Sequence, residues 1–153
     1  MPVPIPIPTR NHLNVATERF FSLHWRLPAE VPIWDFSWGF SGPVPNYLLG
    51  GLYALFSQES LLYIGLGASR GGGAYKDRGI SRRLMAHVLK PSTSGSCTDY
   101  VLSERWKSAG VDSIATLGFP SDVNYLAPAL EDYLIGMLAP RENVAKNPGR
   151  SSC

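Results

Sequence analysis

Cysteine is nearly absent from this sequence. Cys97 and Cys153 are the two in 153 residues, too few for a disulfide framework and without metal-ligand spacing. A reducing cytoplasm is the simplest setting for such a chain. Strong charge of one sign is also lacking. A net charge of +2 and a pI near 8.6 neither demand nor exclude a polyanionic partner. No apolar run approaches the ~18 residues of a membrane span, so no membrane partner is expected. The opening MPVPIPIPTR lacks the charged-then-apolar order of a signal peptide.

What is present suits one globular domain, with 44% hydrophobic and 17% charged residues. A chain of this length can bury a core without staples. Its 13 prolines concentrate in the first 45 residues. Residues 1–48 therefore read as a proline- and aromatic-rich extension packing on a core formed by residues 49–153. Pro2 to Pro8 should be extended, because proline fixes φ and removes donors. Asn14 to Trp25 reads as a short helix with Val15, Phe20, Phe21 and Leu23 on its apolar face. Trp34, Phe36, Trp38 and Phe40 alternate strictly, which predicts a strand with one aromatic face.

The chain is organised around Gly50 to Gly65. Two β-prone runs, Leu52–Phe56 and Leu61–Leu66, flank the polar Ser57-Gln58-Glu59-Ser60, the pattern of a hairpin. Tyr53 and Tyr63 place a phenol in each strand, and a buried phenol needs a hydrogen-bond partner. The glycine-rich stretch from Gly67 to Gly79 reads as a basic loop without the lysine spacing of a nucleotide cradle. Ser81 is the expected N-cap of a helix ending near Leu89, on which Arg83 and His87 share a face and Leu84 and Val88 point inward. Tyr100–Ala109 is expected as a short helix, with Leu102 and Trp106 inward, and Val111–Phe119 as a third strand. Asn124–Leu138 carries the strongest helical pattern, through Leu126, Leu130, Tyr133, Leu134 and Met137. Glu131 interrupts that apolar stripe, and a carboxylate there needs a cation, a metal ion or a hydrogen-bond network.

This order resembles the GIY-YIG nuclease family. Gly51-Leu52-Tyr53 is similar to its first motif, with Leu in place of Ile, and Tyr63-Ile64-Gly65 matches the second. Arg83 with His87 fits the arginine and histidine of its first helix, Glu131 its metal-binding glutamate, and Asn143 a following polar residue. The likeness spans about Gly50 to Asn147. Arg78 and Arg82 remain rivals to Arg83, because the glycine loop lengthens the gap before the helix.

The resemblance implies an α/β (α+β) fold, with a small, mainly antiparallel three-stranded sheet flanked by helices. It implies a metal-dependent endonuclease that cleaves DNA to 5′-phosphate and 3′-hydroxyl ends, of restriction type by analogy. Tyr53, Tyr63, Arg83, His87, Glu131 and Asn143 would be catalytic, with Glu131 holding Mg²⁺ or Mn²⁺. Arg70, Lys76, Arg78, Arg82, Arg141, Lys146 and Arg150 would contact nucleic acid. Composition does not separate DNA from RNA. With one active site per chain, a homodimer is one way to cut both strands. A phage, repair or toxin nuclease, and a binding module that kept the fold without the chemistry, are the alternatives.

Overall fold

A computed structural model describes residues 7–67, 78–93 and 98–144. A three-stranded antiparallel sheet lies at its centre in the order β2-β1-β5, from β1 (Gly50–Ser57), β2 (Ser60–Gly67) and β5 (Ser113–Phe119). β1 and β2 form the expected hairpin, turning at Gln58, whose φ is +53°. The central strand β1 is buried from Gly50 to Phe56. Both sheet faces must therefore be covered.

One face carries α1 (Arg10–His24) and α4 (Ala127–Leu138). Their Leu13, Ala16, Phe20, Phe21, Leu130, Leu134 and Ile135 meet Leu52, Ala54, Phe56 and Ile64 of the sheet. Thr9 and His12 close a capping box at the start of α1, so this helix begins four residues earlier than its apolar pattern implied. Val15 and Leu23 are exposed, and Leu13, Ala16 and Thr17 take the buried positions instead. Met137 of α4 also faces out, and Ile135 takes its place in the core. The extension is thus part of the main core rather than an appendage.

The opposite face carries α2 (Gly79–His87), a small antiparallel pair β3 (Leu89–Pro91) and β4 (Tyr100–Leu102), and the one-turn α3 (Glu104–Ser108). Leu84, Val88, Leu89 and Trp106 pack there on Tyr53, Leu55 and Ile114. Three local expectations are corrected. Tyr100–Leu102 is strand, not helix, because its backbone pairs with Leu89–Pro91 before Ser103 turns the chain into α3. α2 begins at Gly79 rather than after Ser81, whose hydroxyl donates to the Tyr47 carbonyl. Asn124–Leu126 form a single 3₁₀ turn, and the α-helix starts at Ala127 with Pro128 in its first turn.

The aromatic run forms no strand. Asp35 alone pairs with Thr116 of β5, and Phe40 adopts a φ of +66° that ends the extension. Trp34 and Phe36 join the α1–α4 core, whereas Trp38 and Phe40 join the α2 core. Alternation cannot distinguish a strand from a strap that dips into two cores in turn. Among the described residues no helix is long and apolar enough to cross a membrane.

Candidate active site

The site grows out of the hairpin. Residues paired across an antiparallel ladder share a face, and the pairs Tyr53↔Gly65 and Leu55↔Tyr63 put both tyrosines on the α2 side. The register then slips, so that Phe56 pairs with Leu61 and Leu62 is the extra residue. This bulge lets Leu61 enter the α1–α4 core while Leu62 and Tyr63 both serve the other face. Without it, Leu61 and Tyr63, two positions apart, would point the same way. The bulge aims the second tyrosine.

Tyr53 is only 2% exposed. Its ring lies across Gly65, where any Cβ would overlap the phenol carbons. The two ring centroids are 6.1 Å apart, so the two phenols are close neighbours. Burial pushes the Tyr53 phenol far above its ordinary range, and the neighbouring Tyr63 phenol pushes the same way. The Arg83 guanidinium pulls it down, while the Glu131 carboxylate adds to the rise. Side chains from β1, β2, α2 and α4 therefore act on one proton. Of the three rival arginines, Arg83 is the one whose charge acts there; Arg78 sits exposed at the N-cap of α2, and Arg82 is exposed beyond it.

The sign of that shift makes a prediction. The folded chain keeps the Tyr53 proton over a pH range in which the unfolded chain has released it. The resulting stability is fully present below ~10, the ordinary phenol value, and falls away above it by up to ~1.4 kcal/mol per pH unit. Urea unfolding of the wild type should lose stability between about pH 9.5 and 11 more steeply than that of Tyr53→Phe. Equal slopes would remove Tyr53 as the cause.

Glu131 is 8% exposed on α4. Among the described residues no group of three His, Cys, Asp or Glu side chains could hold a metal. A single buried carboxylate suits a hard cation that keeps most of its water and takes phosphate oxygens from a substrate, as Mg²⁺ does. It does not suit zinc, which wants several nitrogen or sulfur ligands.

His87 stands exposed in the last turn of α2, one turn beyond Arg83. Its backbone carbonyl accepts a 2.9 Å hydrogen bond from Trp106 Nε1. The Trp106 ring is 2% exposed and packs 4.8 Å from Tyr63. Trp106 thus ties the end of α2 to the second tyrosine.

Compared with known proteins, the chain matches no family model, no curated protein and no solved structure. The reading of the site rests on its residues and their arrangement.

Asn143 departs from its expected place. Its Oδ1 accepts from Ile64 N–H at 2.9 Å and its Nδ2 donates to the Ile64 carbonyl at 2.8 Å, all in buried surroundings. Glu142 N–H donates to the Leu62 carbonyl, and Leu61 N–H to the Pro8 carbonyl. These contacts pair the outer edge of β2, which would otherwise present open backbone groups. Through these two bonds Asn143 holds the strand that carries Tyr63.

Arg141 is similarly committed, donating to the Ala109 carbonyl at 3.2 Å and pairing with Glu142 at 3.2 Å. Arg70, Lys76, Lys146 and Arg150 lie outside the described residues. A cavity of about 390 Å³ opens on another side of α2, lined by Trp38, Tyr47, Ser81, Met85 and Tyr100 among others, and none of the six expected catalytic residues lines it.

Sequence reasoning marked Trp106 only as an inward residue, and gave Gly65 no role beyond its motif. No local signal could have placed Trp106, which lies 43 positions from Tyr63 and meets it only when α3 docks. Gly65 had a readable clue. A glycine inside a strand often marks the close approach of another group.

Proposed function

We propose that this protein is a metal-dependent endonuclease of the GIY-YIG kind, hydrolysing DNA phosphodiester bonds to leave 5′-phosphate and 3′-hydroxyl ends. One observation carries the reading. Tyr53 and Tyr63 lie side by side on one face of the hairpin, their ring centroids 6.1 Å apart, and the charges of Arg83 on α2 and Glu131 on α4 both reach the buried Tyr53 phenol. Packing alone gives no reason to set two phenols within the field of both a guanidinium and a carboxylate. Phosphodiester hydrolysis does, since it needs an oriented water, a cation on the phosphate and relief of charge at the leaving oxygen.

Arg83, exposed at its tip, offers the fixed fork of donors that grips a phosphate. Tyr53 keeps its proton, so it orients the attacking water by hydrogen bonding and is a poor acceptor for that water's proton. The acceptor role passes to His87, an imidazole on the same helix face as Arg83. Tyr63 lies beside Tyr53, and its hydroxyl would bond the phosphate or the water. Glu131 would hold Mg²⁺ or Mn²⁺, which as a Lewis acid would neutralise charge on the phosphate and leaving oxygens. Asn143 and Trp106 keep the two tyrosines and the end of α2 in register.

Restriction-type action is the preferred setting, by analogy with members that carry a long glycine-rich loop, and two chains would supply the two cuts. The test is incubation of the pure protein with supercoiled plasmid, and with RNA of matching sequence, in Mg²⁺, Mn²⁺ or EDTA. Nicked and linear DNA should form only with the ion, and sequencing of the ends should show 5′-phosphates clustered at a defined site. DNA that is bound but uncut with every divalent ion would replace this reading with that of a binding module.

A further inference from the structure

We infer that Arg105, which no motif marks, is a second phosphate-holding arginine of this site, gripping the DNA strand beside the position that Arg83 would hold. The inference rests on the nuclease reading and extends it.

Arg105 lies in α3, immediately before Trp106. Its guanidinium carbon sits 4.2 Å from the Trp106 ring centroid, a stacked cation–π arrangement. Trp106 in turn packs 4.8 Å from Tyr63, and Tyr63 lies 6.1 Å from Tyr53. An unbroken line of rings therefore joins the guanidinium to the buried phenol. Each step is no longer than about twice the roughly 3.4 Å of axis that one nucleotide of a strand takes up. Arg105 thus stands within a few nucleotides of the cut.

Two further observations favour a ligand over a surface decoration. Arg105 is exposed, and among the described residues no acidic side chain forms an ion pair with it. The buried indole keeps the guanidinium carbon over its ring. A planar fork held in that way loses little freedom when it meets a phosphate. Trp106 cannot shift easily, because its ring is buried and its Nε1 is bonded to the His87 carbonyl. The same indole therefore supports the basic end of α2 and the arginine of α3. Arg141 reinforces the platform by capping the Ala109 carbonyl just beyond α3.

The experiment measures binding of a labelled duplex of about 20 base pairs in EDTA, so that no cleavage intervenes, at several salt concentrations. The proteins are wild type, Arg105→Ala, Arg105→Glu, Arg105→Lys and, as a control from the opposite face, Arg19→Ala. Arg105→Ala should weaken binding several-fold and lower the slope of log K against log salt by about one. Arg105→Glu should weaken it further, whereas Arg105→Lys should keep the slope and Arg19→Ala should change neither quantity. Thermal midpoints within a degree or two of one another would confirm that the surface substitutions leave the fold intact. If the wild type binds with a steep salt dependence and Arg105→Ala matches it, the Arg105 assignment is wrong and the nuclease reading stands. If the wild type shows no salt-dependent binding, both fall.

Discussion

Glu131→Gln is expected to lower the single-turnover rate of DNA cleavage by ~10³-fold or more while the protein stays folded. The carboxylate acts on the Tyr53 phenol, and in the proposed reaction it would anchor the ion that relieves charge on the phosphate. Losing that stabilisation removes several kcal/mol from the transition state, and ~4 kcal/mol corresponds to about three powers of ten. Glutamine keeps the volume and hydrogen-bonding reach of glutamate. It also discards a charge that is costly to bury at 8% exposure. Any loss of thermal stability should be confined to the partner that Glu131 engages, so the fold should persist as activity disappears. Cleavage by Glu131→Gln at the wild-type rate, in saturating Mg²⁺, would end the metal assignment.

The second large effect belongs to a residue with no side chain. Gly65→Ala should destabilise the protein by roughly 3 kcal/mol or more, because a methyl at this position overlaps the Tyr53 ring. Tyr53 cannot retreat. It is 2% exposed, belongs to the core cluster that holds Leu84 and Trp106, and lies 6.1 Å from the Tyr63 ring. For a domain of this size the thermal midpoint should drop by several degrees. Shortening the ring should relieve the clash, so a double-mutant cycle with Tyr53→Leu should reveal a coupling of about 1 kcal/mol or more. Strictly additive effects would show that Gly65 is needed for some other reason. This contact gives a steric reason for a glycine at position 65. The first tyrosine lies on it.

Much of the sheet could be read from the chain because the cause was local. The hairpin announces itself through two apolar runs and a polar turn, and β5 through alternation between Ser113 and Phe119. Glu131 was visible as a break in an apolar stripe. Arg83 and His87 were visible as a one-turn pair. The aromatic run at 34–40 misled because period-two burial is the same whether the neighbour is a strand or two separate cores. The segment 100–102 misled because only its pairing with 89–91, a distant partner, makes it strand.

The sequence by itself determined which chemistry was available: two phenols in a hairpin, an arginine and histidine one turn apart, and a carboxylate set into an apolar helix. It determined those pieces because they follow from short-range periodicity and residue type. Only the tertiary structure decided how they combine. A bulge at Leu62 turned Tyr63 toward the face of Tyr53, and burial pushed the Tyr53 phenol far above its ordinary range so that it keeps its proton. Asn143 was drawn away to satisfy the open edge of β2, and Trp106 was brought in to join that strand to the end of α2. Those outcomes depend on contacts between residues far apart in the chain, where unpaired backbone groups and buried rings must find partners that no local pattern names.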